Sequence, residues 1–165
     1  MNNAFHIDAF AFCRLEERRE GELALADLRR LAVELADTSG TLRWSLQGGK
    51  NAFGHARMVL SVAADVQLRC QRCLTAMPFA LDSESSLVLA PDEASVDGIE
   101  ELVDDDDIEV IVGSSDFDVL ALIEDEALLA LPIAPRHEVC PEGEAPVAPR
   151  EEKESPFAVL KNLKR

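Results

Sequence analysis

The stretch from Arg57 to Arg69 limits the fold more than any other part of the chain. Met58, Leu60, Val62, Ala64, Val66 and Leu68 occupy one parity, and Arg57, Ser61, Asp65, Gln67 and Arg69 the other. Successive side chains of a strand point to opposite faces, so this alternation requires a long strand with one dry and one wet face. Leu42, Trp44 and Leu46 alternate with Thr41, Arg43, Ser45 and Gln47, and Met77, Phe79 and Leu81 lead into Leu87 and Leu89 in a third run of the same kind. Ile108, Val110 and Val112 suggest a fourth strand, and Gly40, Gly48, Gly49 and Gly54 punctuate the earlier loops. Connections this short imply an antiparallel sheet.

Helical patterns flank the strands. Asp27 to Ala36 carries Leu28, Leu31, Val33 and Leu35 and is read as a short helix on the sheet. A second helix is read from Ser115 to Leu131, with Ser115 and Asp118 as a capping box and Pro132 and Pro135 as the stop. Glu124 falls near the middle of its apolar face, where an isolated carboxylate is costly. That position calls for a cap or a salt bridge with an arginine of the first half, and no second group supports catalysis there. The expected fold is α+β: an antiparallel sheet with a CxxC hairpin, two flanking helices and a flexible C-terminal tail with a short helix.

The 165 residues suit one domain over 1–140, with an acidic loop near 91–107. Pro and Glu dominate 141–155, the composition of a flexible linker. Residues 156–165 form a short amphipathic segment with Phe157, Val159, Leu160 and Leu163, too short to be stable alone, which docks on its own domain or folds on a partner. The chain has no apolar run of membrane-spanning length, and charged residues interrupt its start in a way unlike a secretory leader, so a cytoplasmic protein is expected.

The net charge of −16 is a block rather than a wash. Leu74 to Pro135 holds 17 Asp and Glu and no Lys, Arg or His, whereas residues 1–73 carry 10 basic against 9 acidic and 136–165 carry 6 against 6. Asp104, Asp105, Asp106 and Asp107 are its densest point. Such a block serves as a solvated loop or as a docking surface for a basic protein.

Cys70, Cys73, His137 and Cys140 make two short chelating pairs, C-x-x-C and H-x-x-C, and together the Cys3His set typical of structural zinc. For one ion to use all four, the fold must return the chain beyond Pro132 to the CxxC turn. Reduced, unliganded thiols are the plainer alternative. A redox pair suits the pattern less, because the CxxC does not start a helix after a strand. Cys13, beside Phe10 and Phe12, is read as a core residue, and His6 and His55 have no obvious acid or nucleophile neighbours.

Three segments together resemble the bacterial YceD family, the large ribosomal RNA subunit accumulation proteins. They are Leu68-Arg69-Cys70-Gln71-Arg72-Cys73, the run from Phe117 through Leu131-Pro132-Ile133-Ala134-Pro135-Arg136-His137, and Ser155-Pro156-Phe157-Ala158-Val159-Leu160. The resemblance implies a role in synthesis, processing or stability of the large-subunit ribosomal RNA precursor, with no enzymatic activity established for the family and no catalytic residues to carry over. Seventeen carboxylates in one block repel a polyanion, so direct RNA contact has to come from elsewhere. Arg43, Arg57 and Arg69 share the wet parity and, with Arg72, could build a basic sheet face, though no aromatic residue interleaves for base stacking. The favoured expectation is a non-enzymatic factor that binds a basic ribosomal protein or assembly factor through Asp104–Asp107 or through Phe157 and Leu160. A direct RNA-binding module and a zinc- or thiol-dependent enzyme are the alternatives. No membrane and no small-molecule substrate are expected.

Overall fold

The computed structural model describes residues 5–103 and 108–141. It begins with β1 (His6–Ile7), α1 (Ala9–Arg14), β2 (Arg18–Ala24), a 3-10 turn at Leu25–Asp27, α2 (Arg29–Glu34) and β3 (Leu35–Asp37). The long strands β4 (Thr41–Lys50), β5 (Ala56–Arg69) and β6 (Ala76–Ala90) follow. The described chain then runs through a second 3-10 turn at Glu93–Ser95, α3 (Val96–Val103), β7 (Ile108–Val112), β8 (Phe117–Asp118) and α4 (Val119–Leu129). This is an α+β fold. Among the described residues no helix is long and apolar enough to cross a membrane.

The main sheet runs β2-β4-β5-β6-β7, with β3 beside the far end of β5, and β1 pairs separately with β8. The alternation in β5 sets the register of its neighbours: Trp44 opposes Val62, Leu46 opposes Leu60 and Leu81 opposes Ala64. All of these face one side. There α1, α2 and α4 close the principal core over Leu42, Leu46, Met58, Leu60, Leu81, Leu87, Phe12, Leu31 and Ile123, each at most 2% exposed. At Gly48 the helix α1 lies directly on β4: a Cβ there would sit 2.6 Å from the Phe12 carbonyl oxygen.

Four sequence expectations change. The sheet is not wholly antiparallel, because β6 and β7 pair in parallel, Ser86 with Ile108 through Ala90 with Val112. Parallel neighbours need a crossover, which α3 supplies, so 96–103 within the expected acidic loop is a helix. Its Ile99 covers Val88, Ala90 and Val110 on the opposite face of the sheet, a second small core. The helix expected at Asp27–Ala36 is shorter, since Leu35 and Asp37 are drawn into pairing with Leu68 and Gln67. The helix expected from Ser115 begins instead at Val119, because Phe117 and Asp118 pair with Ile7 and His6. Asp118 is then the N-cap and accepts from the Ala121 N–H, so no capping box with Ser115 forms. Finally, α1 and β2 add elements the sequence reading did not assign. Asp104–Asp107, the linker beyond Pro141, and the segment with Phe157 and Leu160 lie outside the described residues.

Two polar joints hold α4. Glu124, 8% exposed, accepts from the Arg30 N–H at 2.6 Å and the Leu31 N–H at 3.1 Å, while the Arg30 guanidinium bonds its other oxygen at 2.9 Å. No side chain of its own caps α2, so a carboxylate from α4 does so across the interface. Burial alone would raise the Glu124 carboxyl; the Leu31 and Arg30 donors outweigh it and hold the group below the usual carboxylate range. The expected cap and the expected arginine partner are thus one interaction. The second joint lies past the end of α4.

Candidate metal centre

β5 and β6 close their hairpin between Arg69 and Ala76, opposite one another in register. The six-residue connection folds on itself: Cys70 N–H donates to the Thr75 carbonyl and Leu74 N–H to the Cys70 carbonyl, both at 2.9 Å. Leu74 takes a left-handed conformation, φ 63°, to complete the turn. A branched residue adopts that region only when its surroundings over-determine it. The turn presents Cys70 and Cys73 on one side.

The other two residues arrive from the chain beyond α4. Pro132 and Pro135 cannot continue the helix, and the segment runs back across the hairpin turn, where Gln71 N–H donates to the Pro135 carbonyl at 2.8 Å. The Arg72 guanidinium donates to the carbonyl oxygens of His137 and Glu138. His137 and Cys140 are thereby held over Cys70 and Cys73, and the four ligand atoms all lie within 4.8 Å of one another. Cys70 Sγ and Cys140 Sγ are 3.9 Å apart, and Cys73 Sγ is 3.4 Å from His137 Nδ1.

These separations can be compared with what an ion would need. Tetrahedral zinc with Zn–S bonds near 2.3 Å places its sulfurs about 3.8 Å apart. A disulfide would bring two sulfurs to about 2.05 Å, and all four cysteines are free. The spacing therefore fits four donors around one cation. The surroundings favour the ligating form at Cys70 and Cys73 and the protonated form at Cys140 and His137. The N–H of Cys73, assisted by those of His137 and Arg72, brings the Cys70 thiol down to about 5 against the opposing effect of burial. The hydroxyl and N–H of Thr75 lower Cys73. Burial raises Cys140, and a hydrogen bond to Cys70 raises His137.

The four arginines expected on one basic face are not brought together. Arg57 and Arg69 sit at opposite ends of β5, roughly 40 Å apart along the strand. Arg57 is half-buried and bonds Ser86 Oγ at 2.7 Å. Arg43 is exposed but lies opposite Glu22 on β2, and Asp82 and Glu84 stand on β6 opposite Ala63 and Ser61. Arg72 belongs to the cysteine cluster instead. Sequence reasoning named all four residues of the cluster by spacing and missed the clamp made by Arg72, Gln71 and Thr75. The polar residues inside and just after the C-x-x-C were the available signal.

A small α+β domain that folds a hairpin turn and a post-helix segment into one Cys3His cluster is the class of molecule that fold and site define. The chain belongs to the family described as Large ribosomal RNA subunit accumulation protein YceD, which it matches over residues 58–164. That span contains the whole cluster, α4 and the β5–β6–β7 half of the sheet. No solved structure matches the chain.

Proposed function

We propose that this protein is a non-enzymatic factor that supports accumulation of large-subunit ribosomal RNA by binding a basic ribosomal protein or assembly factor, with a structural zinc ion in the Cys3His cluster. The observation that carries the reading is the family match over residues 58–164, which includes every cluster residue.

The geometry supports a binding role in two ways. Zinc held by Cys70, Cys73, His137 and Cys140 would have all four positions filled by protein, leaving none for a reacting water. Its contribution is then to fix the segment after α4 onto the β5–β6 turn. From the acidic block of the sequence, Asp97, Glu100 and Glu101 of α3, Glu109 of β7 and Asp125 of α4 are exposed. Phosphates are repelled there and a cationic protein is attracted.

The test compares the ratio of large- to small-subunit ribosomal RNA in cells depleted of the protein and in cells complemented with it. The expected result is a lowered ratio that the wild-type chain restores. A tagged chain should also retain a basic protein after nuclease treatment and release it at raised salt. An unchanged ratio on depletion rules out the rRNA role, and loss of every partner on nuclease treatment rules out the protein-partner route.

A further inference from the structure

Among the described residues the main strand order ends in β2 and β7, which are protected unequally. β2 reads Arg18-Arg19-Glu20-Gly21-Glu22-Leu23-Ala24, and its charges of both signs discourage pairing with another chain. β7 reads Ile108-Glu109-Val110-Ile111-Val112, and among the described residues its partner is β6 alone. Gly113 N–H donates to the Ala90 carbonyl on β6. Amide direction alternates along a strand, so Val110 and Val112 turn their N–H and C=O groups away from β6, toward the open edge.

A groove of about 370 Å³ runs between this edge and α4. Ile111, Leu122 and Leu129 supply its apolar surface, Leu129 being 78% exposed. Its charged lining is Glu109, Asp118, Asp125 and Glu126, with no Lys or Arg. Three of these carboxylates have partners: Asp118 caps α4, Asp125 meets Arg30 and Glu126 accepts from Ser83. Glu109 has none among the described residues. An open edge, an apolar strip and unbalanced negative charge thus occur in one place.

We infer that the β7 edge is a docking site for an extended, lysine- or arginine-bearing segment of a basic protein partner, which adds as a further strand. The inference rests on the protein-partner reading above and names the surface that would serve it. Backbone pairing with Val110 and Val112 supplies affinity independent of sequence; alternate side chains of the guest reach Glu109 and the Ile111–Leu129 strip and supply selectivity. Charge decides against a nucleic acid as the guest.

The test uses the full chain and a short synthetic peptide alternating lysine and valine, with a glutamate–valine peptide as the counterpart. The lysine peptide should slow amide exchange at Val110 and Val112. Glu109→Lys should weaken its binding about tenfold or more, and Val112→Pro, which deletes an outward N–H, should abolish it. Circular dichroism establishes that each variant is folded. Should Val112→Pro fail to fold, Glu109→Lys and the exchange pattern decide. Any of four results overturns the inference: binding without slower exchange at Val110 and Val112, equal or tighter binding of the glutamate peptide, undiminished binding by folded variants, or exchange already slow in the protein alone. Slow exchange that grows with protein concentration would mean a second copy occupies the edge; slow exchange at every concentration would mean another segment of the same chain does. Either excludes the proposed guest. If the peptide fails while depletion still lowers large-subunit rRNA, the edge assignment falls and the cellular role stands.

Discussion

The two joints that hold α4 use opposite chemistry. At Glu124 an acceptor meets complementary donors, two backbone N–H groups and a guanidinium, all from the α2 region. At the other end, three thiols and an imidazole converge on one another. The first joint is complete once the chain has folded. The second gathers four lone-pair donors, and thiolates that close repel unless a cation lies among them. A buried carboxylate can thus be satisfied from within the sequence, whereas the Cys3His cluster is spaced so that it could take a cation from outside it.

Variants that touch one joint and spare the other test this contrast. The largest effect is expected from Cys70→Ser or Cys140→Ser, which should abolish metal binding and free the segment beyond Pro132, read as new protease sensitivity between α4 and Cys140. Glu124→Ala comes next. It leaves the Arg30 and Leu31 N–H groups without their acceptor, while the Arg30 guanidinium, 52% exposed, keeps Asp125 and the Ala121 carbonyl. A loss of about 2 kcal/mol is expected in denaturant unfolding, with the metal retained.

The same residue sets an acid dependence. The native Glu124 carboxyl is held below its unfolded value, so its stabilisation is fully present above the ordinary glutamate pKa of about 4.3 and is lost as pH falls through the native value. Glu124→Gln should reduce that acid-side loss of thermal stability. Arg72→Ala should leave the four ligands in place yet weaken metal binding about 10–100-fold, since it removes the clamp on the His137 and Glu138 carbonyls. Glu126→Ala should have the smallest effect, about 1 kcal/mol, because this neighbouring carboxylate accepts from one serine hydroxyl and has no ion pair among the described residues. Similar losses from Glu124→Ala and Glu126→Ala would mean that the Arg30 joint adds nothing beyond a single hydrogen bond.

How much of this was legible in the sequence depended on the range of the interaction. The alternation in β5 is local, and it located the central strand and the wet and dry faces of its neighbours. The Cys and His spacings are local chelating pairs, so the four cluster residues could be named even though their convergence depends on Pro132 and Pro135 redirecting the chain. Glu124 stood out as a carboxylate on an apolar helix face, which implied its partner. The parallel β6–β7 pair was not legible, because Gly98 and the flanking acidic residues made Val96–Val103 resemble a loop and hid the crossover. The ends of α2 and α4 were misplaced for a related reason: strand pairing by Leu35, Asp37, Phe117 and Asp118 overrode helical periodicity. The four arginines are spread out rather than clustered, since parity fixes a side but not the distance between Arg57 and Arg69 or the carboxylates opposite them.

The central claim is that the Cys3His joint is completed by an ion. Native mass spectrometry of the full chain purified without chelator tests it most directly. The account predicts one zinc per chain, lost in Cys73→Ser and kept in Glu124→Gln. A folded, metal-free chain whose mass and stability do not change when zinc is added would contradict it.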